Sequence, residues 1–326
     1  VWHCCFPWGG GVANAADIVD GSKTIANTTV SGTGDLTFTD VFSTTGEIFT
    51  VKADGSDKKT EIKDYDGLYF NQTQPREERS WALLGASGGS LTVNVKTLQI
   101  GSGESPYSAG IHGFGGTVTV GAQSVFMDTR VSSVFVQTNS GADGNVLINA
   151  NDIVLSSKEN PVVAAVNFQN DSKKSVATLN AKNTLKLVSG SNQPTVAVYD
   201  SNASYNGSGR AEVHLSGDNG VELITKGENG WGVYVTRTTE QGSIEIKSNR
   251  EVHISADNAV YIVNKGQISS SASLEAPKIT LDGNVLLGYF NEGGQSDAVD
   301  SRKLTLIGTT TINGEVKAAS GTLVIN

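Results

Sequence analysis

The sequence contains few of the residues that build helices, disulfides or membrane spans. Its 326 residues include one methionine, six prolines and two cysteines, and the cysteines are the adjacent pair Cys4 and Cys5. Adjacent cysteines cannot join distant parts of a chain, so we expect a fold without disulfides or a thiolate zinc site. No run of 18 apolar residues occurs, which argues against a membrane-spanning helix.

Clusters of positive charge are also missing. The formal net charge is −9, and the acidic residues are scattered along the chain. A nucleic-acid-binding protein carries a basic patch, and a protein that binds anionic lipid carries clustered Lys and Arg. We therefore predict no nucleic-acid partner. The 38 glycines, together with abundant Val, Thr, Ser and Asn, favour strands and turns over helices.

A short phrase of alternating apolar residues recurs along the chain. In Thr117–Met127, Val118/Val120 and Val125/Met127 flank a small polar corner. The phrase occurs about eight times, with first pairs at Leu91/Val93, Val118/Val120, Val146/Ile148, Ala177/Leu179, Val213/Leu215, Ile244/Ile246, Ala272/Leu274 and Leu304/Leu306. The first positions of successive pairs lie 27 to 36 residues apart, by subtraction of their numbers.

A third apolar alternation follows the phrase in most repeats. Its members are Val134/Val136, Val162/Ala164/Val166, Val196/Val198, Val233/Val235, Val260/Ile262 and Val285/Leu287. Alternation predicts a strand with one buried face, and three short strands in about 30 residues form one turn of a coil. The sequence therefore predicts an all-β fold, a right-handed single-stranded parallel β-helix (a solenoid) of about eight or more three-strand coils.

The repeat divides the chain into three predicted parts. Residues 1–15 end in Ala13-Asn14-Ala15, which fits the small-x-small rule for signal-peptide cleavage, so we interpret them as the remnant of a secretory signal. Residues 16–85 are less regular and are predicted to form irregular N-terminal coils or a cap. Residues 86–326 are the predicted β-helix. It stops at Asn326 within a strand, so we expect a C-terminally truncated fragment.

The repeat, the secretory signal, the cysteine-free mature chain and the Gly/Ser/Thr/Asn-rich coils resemble those of autotransporter passenger domains, bacterial surface adhesins of the parallel β-helix type. The resemblance covers roughly residues 17–326 and is periodic and compositional. It implies the pectin-lyase-like fold and export to the cell surface, outer membrane or medium of a Gram-negative-type bacterium. It also implies a C-terminal outer-membrane barrel in the full-length protein, and a host or neighbouring-cell surface protein or glycan as partner.

Two other functions share this fold. A carbohydrate-active β-helix enzyme (a polysaccharide lyase or hydrolase) needs convergent carboxylates, and the candidates are Asp64/Asp66, Asp282 and Asp297/Asp300. We interpret these as turn and loop residues and predict no catalytic residues. His112, His214 and His253 occupy different positions in their coils, so we predict no metal site and no cofactor. A phage tail-spike segment remains the other alternative, although it would carry no signal peptide.

The predicted ligand-binding residues are aromatic residues of the third strand. Phe135, Tyr234 and Tyr261 each lie between two inward residues and should face outward, while Tyr199 and Trp231 lie nearby. Tyr234 and Tyr261 belong to consecutive coils, so their rings should stack. Exposed aromatic residues on a rigid sheet are typical binding anchors. The opposing interpretation is that side loops cover this face, or that the stack only stabilises the coil. Gly113–Gly116 is predicted to be a turn between coils.

Overall fold

The chain forms an all-β structure. A computed structural model describes residues 12–21, 24–41, 49–71, 82–101, 109–139, 141–167, 173–190, 192–199, 209–237, 241–264, 270–288, 302–319 and 321–326. The strands are β1 (Val12–Gly21), β2 (Ile25–Ala26), β3 (Thr29–Val41), β4 (Phe49–Asp54), β5 (Lys59–Lys63), β6 (Gly67–Asn71), β7 (Ala82–Ser87), β8 (Ser90–Asn94), β9 (Thr97–Gly101), β10 (Ala109–Phe114), β11 (Thr117–Gly121), β12 (Ser124–Thr129), β13 (Ser132–Gln137), β14 (Gly144–Ala150), β15 (Asp152–Ser157), β16 (Val163–Val166), β17 (Lys174–Ala181), β18 (Thr184–Ser189), β19 (Pro194–Tyr199), β20 (Arg210–Gly217), β21 (Gly220–Thr225), β22 (Trp231–Arg237), β23 (Gln241–Ser248), β24 (Glu251–Ser255), β25 (Asn258–Asn264), β26 (Ser270–Asp282), β27 (Val285–Leu287), β28 (Arg302–Ile312), β29 (Val316–Ala318) and β30 (Thr322–Ile325).

These strands stack as a parallel β-solenoid. Each regular coil contributes two short strands, leg 1 and leg 2, to a 19-stranded sheet A, and a third strand, leg 3, to an 11-stranded sheet B. Seven consecutive coils, from β5 to β25, have three separate strands each. In β3, β26 and β28, legs 1 and 2 merge into one long strand that pairs with both legs of the neighbouring coil. The predicted parallel β-helix is confirmed.

The recurrent apolar pairs line the interior of the stack. In leg 1, Val118 pairs with Leu91 in the preceding coil and Val146 in the following one, and all three side chains are buried. Burying an aliphatic side chain contributes about 1.5–3 kcal/mol. A single coil cannot bury its apolar face alone, so the coils stabilise one another through these matched columns.

One predicted alternation in leg 3 has the wrong parity. Val163 pairs with Val134 and Ala165 with Val136, so Val163 and Ala165 face the interior and Ala164 faces outward. The pattern Val162/Ala164/Val166 is therefore wrong by one residue. All residues from Val162 to Val166 are fully buried, so burial removes the contrast that an alternation pattern needs.

The stack of coils continues on the N-terminal side of the first predicted repeat. Strand β5 pairs with β8 and β6 pairs with β9, in the register of the later coils. Their inward residues are Thr60/Ile62 and Leu68/Phe70, all of them buried. Phe70 also stacks on Phe38 of the preceding coil, with ring centroids 4.8 Å apart. The predicted boundary near residue 85 thus lies inside one continuous stack of strands.

Candidate ligand-binding surface

The candidate aromatic residues lie on the outer side of sheet B. The strand pairing places six outward residues in one line across consecutive coils, and we call this line the outer column: His112, Phe135, Ala164, Ala197, Tyr234 and Tyr261. The line arises because leg 3 keeps the same register from β10 to β25. Two alanines separate the column into an N-terminal and a C-terminal aromatic cluster.

The C-terminal cluster contains the predicted stack. The rings of Tyr234 and Tyr261 have centroids 5.5 Å apart and an interplanar angle of 20°. Trp231 packs against Tyr234 at 5.4 Å and 54°. Tyr199 lies one coil earlier, opposite Thr236. The predicted stacking is confirmed, and the ligand-binding role of these residues stays a prediction.

None of the five candidate residues is fully exposed. Phe135, Tyr199, Trp231, Tyr234 and Tyr261 are all half-buried, and Ala164 and Ala197 in the same column are completely buried. The outer side of sheet B is therefore not an open sheet face.

Burial also sets the ionisation of the tyrosines. It raises the pKa of Tyr199 to about 12. Burial likewise raises the pKa of Tyr234, although a side-chain hydrogen bond with Thr236 partly opposes the shift. These hydroxyls stay neutral at physiological pH, so they can donate and accept hydrogen bonds but cannot act as bases there.

The N-terminal cluster was only partly predicted. Phe135 meets the ring of His112 edge-on, with centroids 5.1 Å apart, and Phe114 lies 5.7 Å from the same ring. Phe114 was missed because Gly113–Gly116 was predicted to be a turn. Strand β10 runs to Phe114, and the turn begins at Gly115, where φ is +58°. The two outward positions His112 and Phe114, separated by one small residue, were the available indication.

His112 is a buried, neutral histidine. Its side chain is 1% exposed, and burial lowers its pKa to about 3. Its charged form is disfavoured because no water reaches the ring to solvate it. Such a histidine packs like an aromatic residue and is a poor proton carrier at neutral pH.

His214 and His253 face outward on sheet A, as predicted. His214 Nδ1 lies 3.1 Å from Glu245 Oε2, and its Nε2 lies 3.4 Å from Glu212 Oε2. His253 Nε2 lies 2.7 Å from Asp282 Oδ2. The two histidines sit on different legs, with His214 in β20 and His253 in β24. Within the part of the chain that the structure describes, no three His, Cys, Asp or Glu side chains converge in a way that could hold a metal ion.

The candidate acids do not converge either. Asp66 makes an ion pair with Lys96 at 2.5 Å, and Asp64 adopts φ of +69° in the turn before β6. Asp282 belongs to a coil seven strand spacings further along the stack, roughly 34 Å away at about 4.8 Å per spacing. Paired catalytic carboxylates in glycosidases lie about 5–9.5 Å apart. Asp297 and Asp300 lie outside the described residues.

Asp282 instead links three successive coils. Its two oxygens accept hydrogen bonds from Asn313 Nδ2 and His253 Nε2, each at 2.7 Å. The Asn313 hydrogen bond and then the His253 hydrogen bond hold the pKa of this carboxyl below its usual value. Both contacts favour the ionised form. The arrangement stabilises coil packing, and Asp282 does precede a turn, at Gly283, as predicted.

Within the described residues, no helix is long and apolar enough to cross a membrane. Comparison of the chain with protein-family models, with curated proteins and with solved structures gives no match.

Proposed function

We propose that this protein is a non-catalytic β-helical rod, the passenger part of an autotransporter-type outer-membrane protein, and that it is exposed at the bacterial surface or secreted. The observation that carries the proposal is the parallel stack itself. Eleven leg-3 strands lie one above another in sheet B, a length of roughly 48 Å at about 4.8 Å per spacing. Coils that contact only their neighbours can be added one after another, which suits folding that starts at one end after passage through a pore.

The N-terminal strand is compatible with removal of a signal peptide. Strand β1 pairs with β3, and the register shifts between Asn14 and Ala16. Cleavage after Ala15 would leave the pairs from Ala16/Leu36 to Gly21/Val41 intact. The retained half of β1 then still covers the edge of β3 from Leu36 to Val41, while Ser31, Gly32 and Thr33 lose their β1 partners and become an open edge.

The aromatic clusters on sheet B are the proposed adhesive surface. Aromatic residues on a rigid scaffold lose little conformational entropy on binding and are common interaction anchors. Because the Tyr234 and Tyr261 rings stack on each other, they present their edges and hydroxyls to a partner. This geometry favours contact with a surface protein over flat stacking of a sugar on a ring face.

Export is tested by expressing the gene, including any codons beyond Asn326, in a Gram-negative host. We expect the rod to be accessible to external protease and antibody, and N-terminal sequencing to begin at Ala16. A product that stays inside the cell with residues 1–15 retained would contradict the proposal. Digestion of a pectin-like or capsule polymer by the purified rod would contradict its non-catalytic part.

Adhesion is tested on cells that display the rod. Tyr234→Ser with Tyr261→Ser removes the ring stack, and we expect attachment to host or neighbouring cells to fall. Tyr69→Ser in β6 is the matched control, because Tyr69 is a half-buried outward tyrosine on sheet A. Unchanged attachment by a folded double variant would exclude the aromatic surface as the adhesive site.

A further inference from the structure

Some asparagines in the chain are followed directly by glycine: Asn206, Asn219, Asn229 and Asn313. Asparagine is chemically labile because its side-chain amide can be lost. Glycine has no Cβ, so its backbone nitrogen can approach the preceding side chain without steric hindrance. Asn206 lies outside the described residues, and the structure places the other three asparagines in different surroundings.

Deamidation needs a glycine nitrogen that is free to attack and an asparagine side chain that is free to turn towards it. The nitrogen gives up its proton to water or hydroxide and attacks Cγ of the asparagine. The Cγ–Nδ2 bond breaks, ammonia leaves, and a succinimide ring closes. Water then opens the ring at one of its two carbonyl carbons. The product is aspartate or isoaspartate, and it carries one more negative charge than the asparagine.

Asn229 meets both conditions. It is exposed in the turn between β21 and β22. Within the part of the chain that the structure describes, neither its side-chain amide nor the N–H of Gly230 makes a hydrogen bond. The turn is held instead by the backbone N–H of Asn229, which donates to Asp257 Oδ2 at 2.5 Å. The backbone is therefore anchored while the reacting side chain can rotate.

Packing requires glycine at position 230. A Cβ on Gly230 would lie 1.8 Å from Thr225 Cγ2, so a larger residue fits only if Thr225 moves. Thr225 is held in place, because its hydroxyl donates to the carbonyl oxygen of Trp231 at 3.2 Å. The fold thus keeps glycine directly after Asn229, and a variant that removes the labile pair must change Asn229 itself.

The other two described asparagines are protected in different ways. Asn313 Nδ2 donates to Asp282 Oδ1 at 2.7 Å, and this bond must break before Cγ can turn towards the next nitrogen. Asn219 is exposed, but Gly220 is the first residue of β21 and pairs with β18. Ring closure changes the backbone angles beside Gly220, and the sheet opposes that change.

We propose that Asn229 is a site of spontaneous deamidation in the folded protein, and that its product places a carboxylate beside Asp257 at the start of β22. Trp231 lies two residues later and packs against Tyr234, so the added charge lies next to the C-terminal aromatic cluster. Isoaspartate also lengthens the backbone by one carbon, which weakens the hydrogen bond to Asp257. The modification needs only the folded chain and water, so it does not depend on export, adhesion or the absence of catalysis.

The test incubates the purified 326-residue chain in mildly alkaline buffer. After digestion, the peptide that contains each asparagine is followed by mass spectrometry, and isoaspartate is identified with an isoaspartyl methyltransferase. We expect Asn229 to convert roughly tenfold faster than Asn313, the factor that one hydrogen bond to a carboxylate represents. Asn219 should also lag behind Asn229. In the chain unfolded by guanidinium chloride all three should convert at similar rates, because no fold distinguishes them.

Two matched variants accompany the wild type. Asn229→Gly removes the amide and suits the φ of +55° at this position, so it should abolish the first acidic species seen by isoelectric focusing. Asn219→Gly removes another exposed asparagine and should leave that species unchanged. The proposal is overturned if Asn229 in the folded wild type converts no faster than Asn219, or if it stays intact while the unfolded chain converts. Both of these outcomes are measured on the wild type, so they do not depend on the folding of a variant.

Discussion

Tyr234 and Tyr261 pair in register on adjacent coils and stack with their ring centroids 5.5 Å apart. Stacked aromatic pairs contribute about 0.5–1.5 kcal/mol beyond the area that they bury. We therefore predict a favourable coupling energy of that size from a double-mutant cycle of Tyr234→Ala and Tyr261→Ala, measured by urea unfolding.

The outward pair Tyr69 and Gln99 provides the reference cycle. These residues also face each other on adjacent coils, but only one of them is aromatic. Their coupling should be smaller than that of the tyrosine pair. Equal coupling in the two cycles would show that coil contact alone, without ring stacking, joins Tyr234 to Tyr261.

The second prediction concerns acid and His112. Burial lowers its folded-state pKa to about 3, whereas an unfolded histidine titrates near 6.5. Above pH 6.5 the ring is neutral in both the folded and the unfolded state, so it does not make the stability depend on pH. As the pH falls from 6.5 towards 3, the unfolded chain takes up a proton that the folded chain excludes, so folding loses about 1.4 kcal/mol per pH unit from this residue.

His112→Phe tests that loss. At pH 5 the wild type should have lost roughly 2 kcal/mol through His112, which is 1.5 pH units at about 1.4 kcal/mol each. His112→Phe keeps a ring against Phe114 and Phe135 and should remove that part of the pH dependence in unfolding experiments. His253→Gln is the control: it changes a histidine whose side chain is 35% exposed, and this variant should retain the pH dependence that His112 causes. An identical pH slope in wild type and His112→Phe would contradict the prediction.

The stack of coils could be predicted from the sequence because the strands of legs 1 and 2 each have one buried side and one side that faces solvent. Val118 and Val120 alternate with half-buried threonines, so the inward side is visible in the pattern. The same rule failed at Val162–Val166, where both faces are buried. It also passed over the coil of β5 and β6, where Thr60 occupies an inward position that the pattern expects to be apolar.

The candidate site was predicted in position and not in degree of burial. Alternation within leg 3 showed that Tyr234 and Tyr261 face outward, and the repeat length showed that they occupy the same position in consecutive coils. The half-burial of these rings depends on the side chains that pack around them, such as Trp231 against Tyr234, and an alternation pattern does not contain that information.

The third prediction concerns the carboxyl group that joins three coils. The hydrogen bond from Asn313 lowers the pKa of Asp282 more than the hydrogen bond from His253 does. In carbon-detected NMR titrations, Asn313→Ala should therefore raise the pKa of Asp282 further than His253→Gln does. A larger rise in His253→Gln would reverse the assigned order of the two contacts.

The lowered pKa of Asp282 also predicts the direction in which this residue changes the folding stability with pH. Its folded-state pKa is lowered, so its contribution is present above the pKa of the unfolded carboxyl, near 3.9, and is lost as the pH falls through the folded value. Its side chain is 40% exposed, so solvent screening keeps the contribution small. Asp282→Ala should thus cost less than about 1 kcal/mol near neutral pH.

The last prediction separates the two faces of one strand. Ile148 and Leu147 are neighbours in β14, but Ile148 is completely buried and Leu147 is half-buried on the outer side. Ile148 pairs with Val120 below and Leu179 above, so Ile148→Ala opens a cavity in the middle of a continuous column. It should destabilise the rod by about 2–5 kcal/mol. Leu147→Ala removes a similar number of atoms from a surface that water already reaches, and its cost should stay below about 1 kcal/mol. Urea unfolding of both variants tests which of the two residues faces the interior. If the strand were shifted by one residue in register, the effects of the two substitutions would be exchanged.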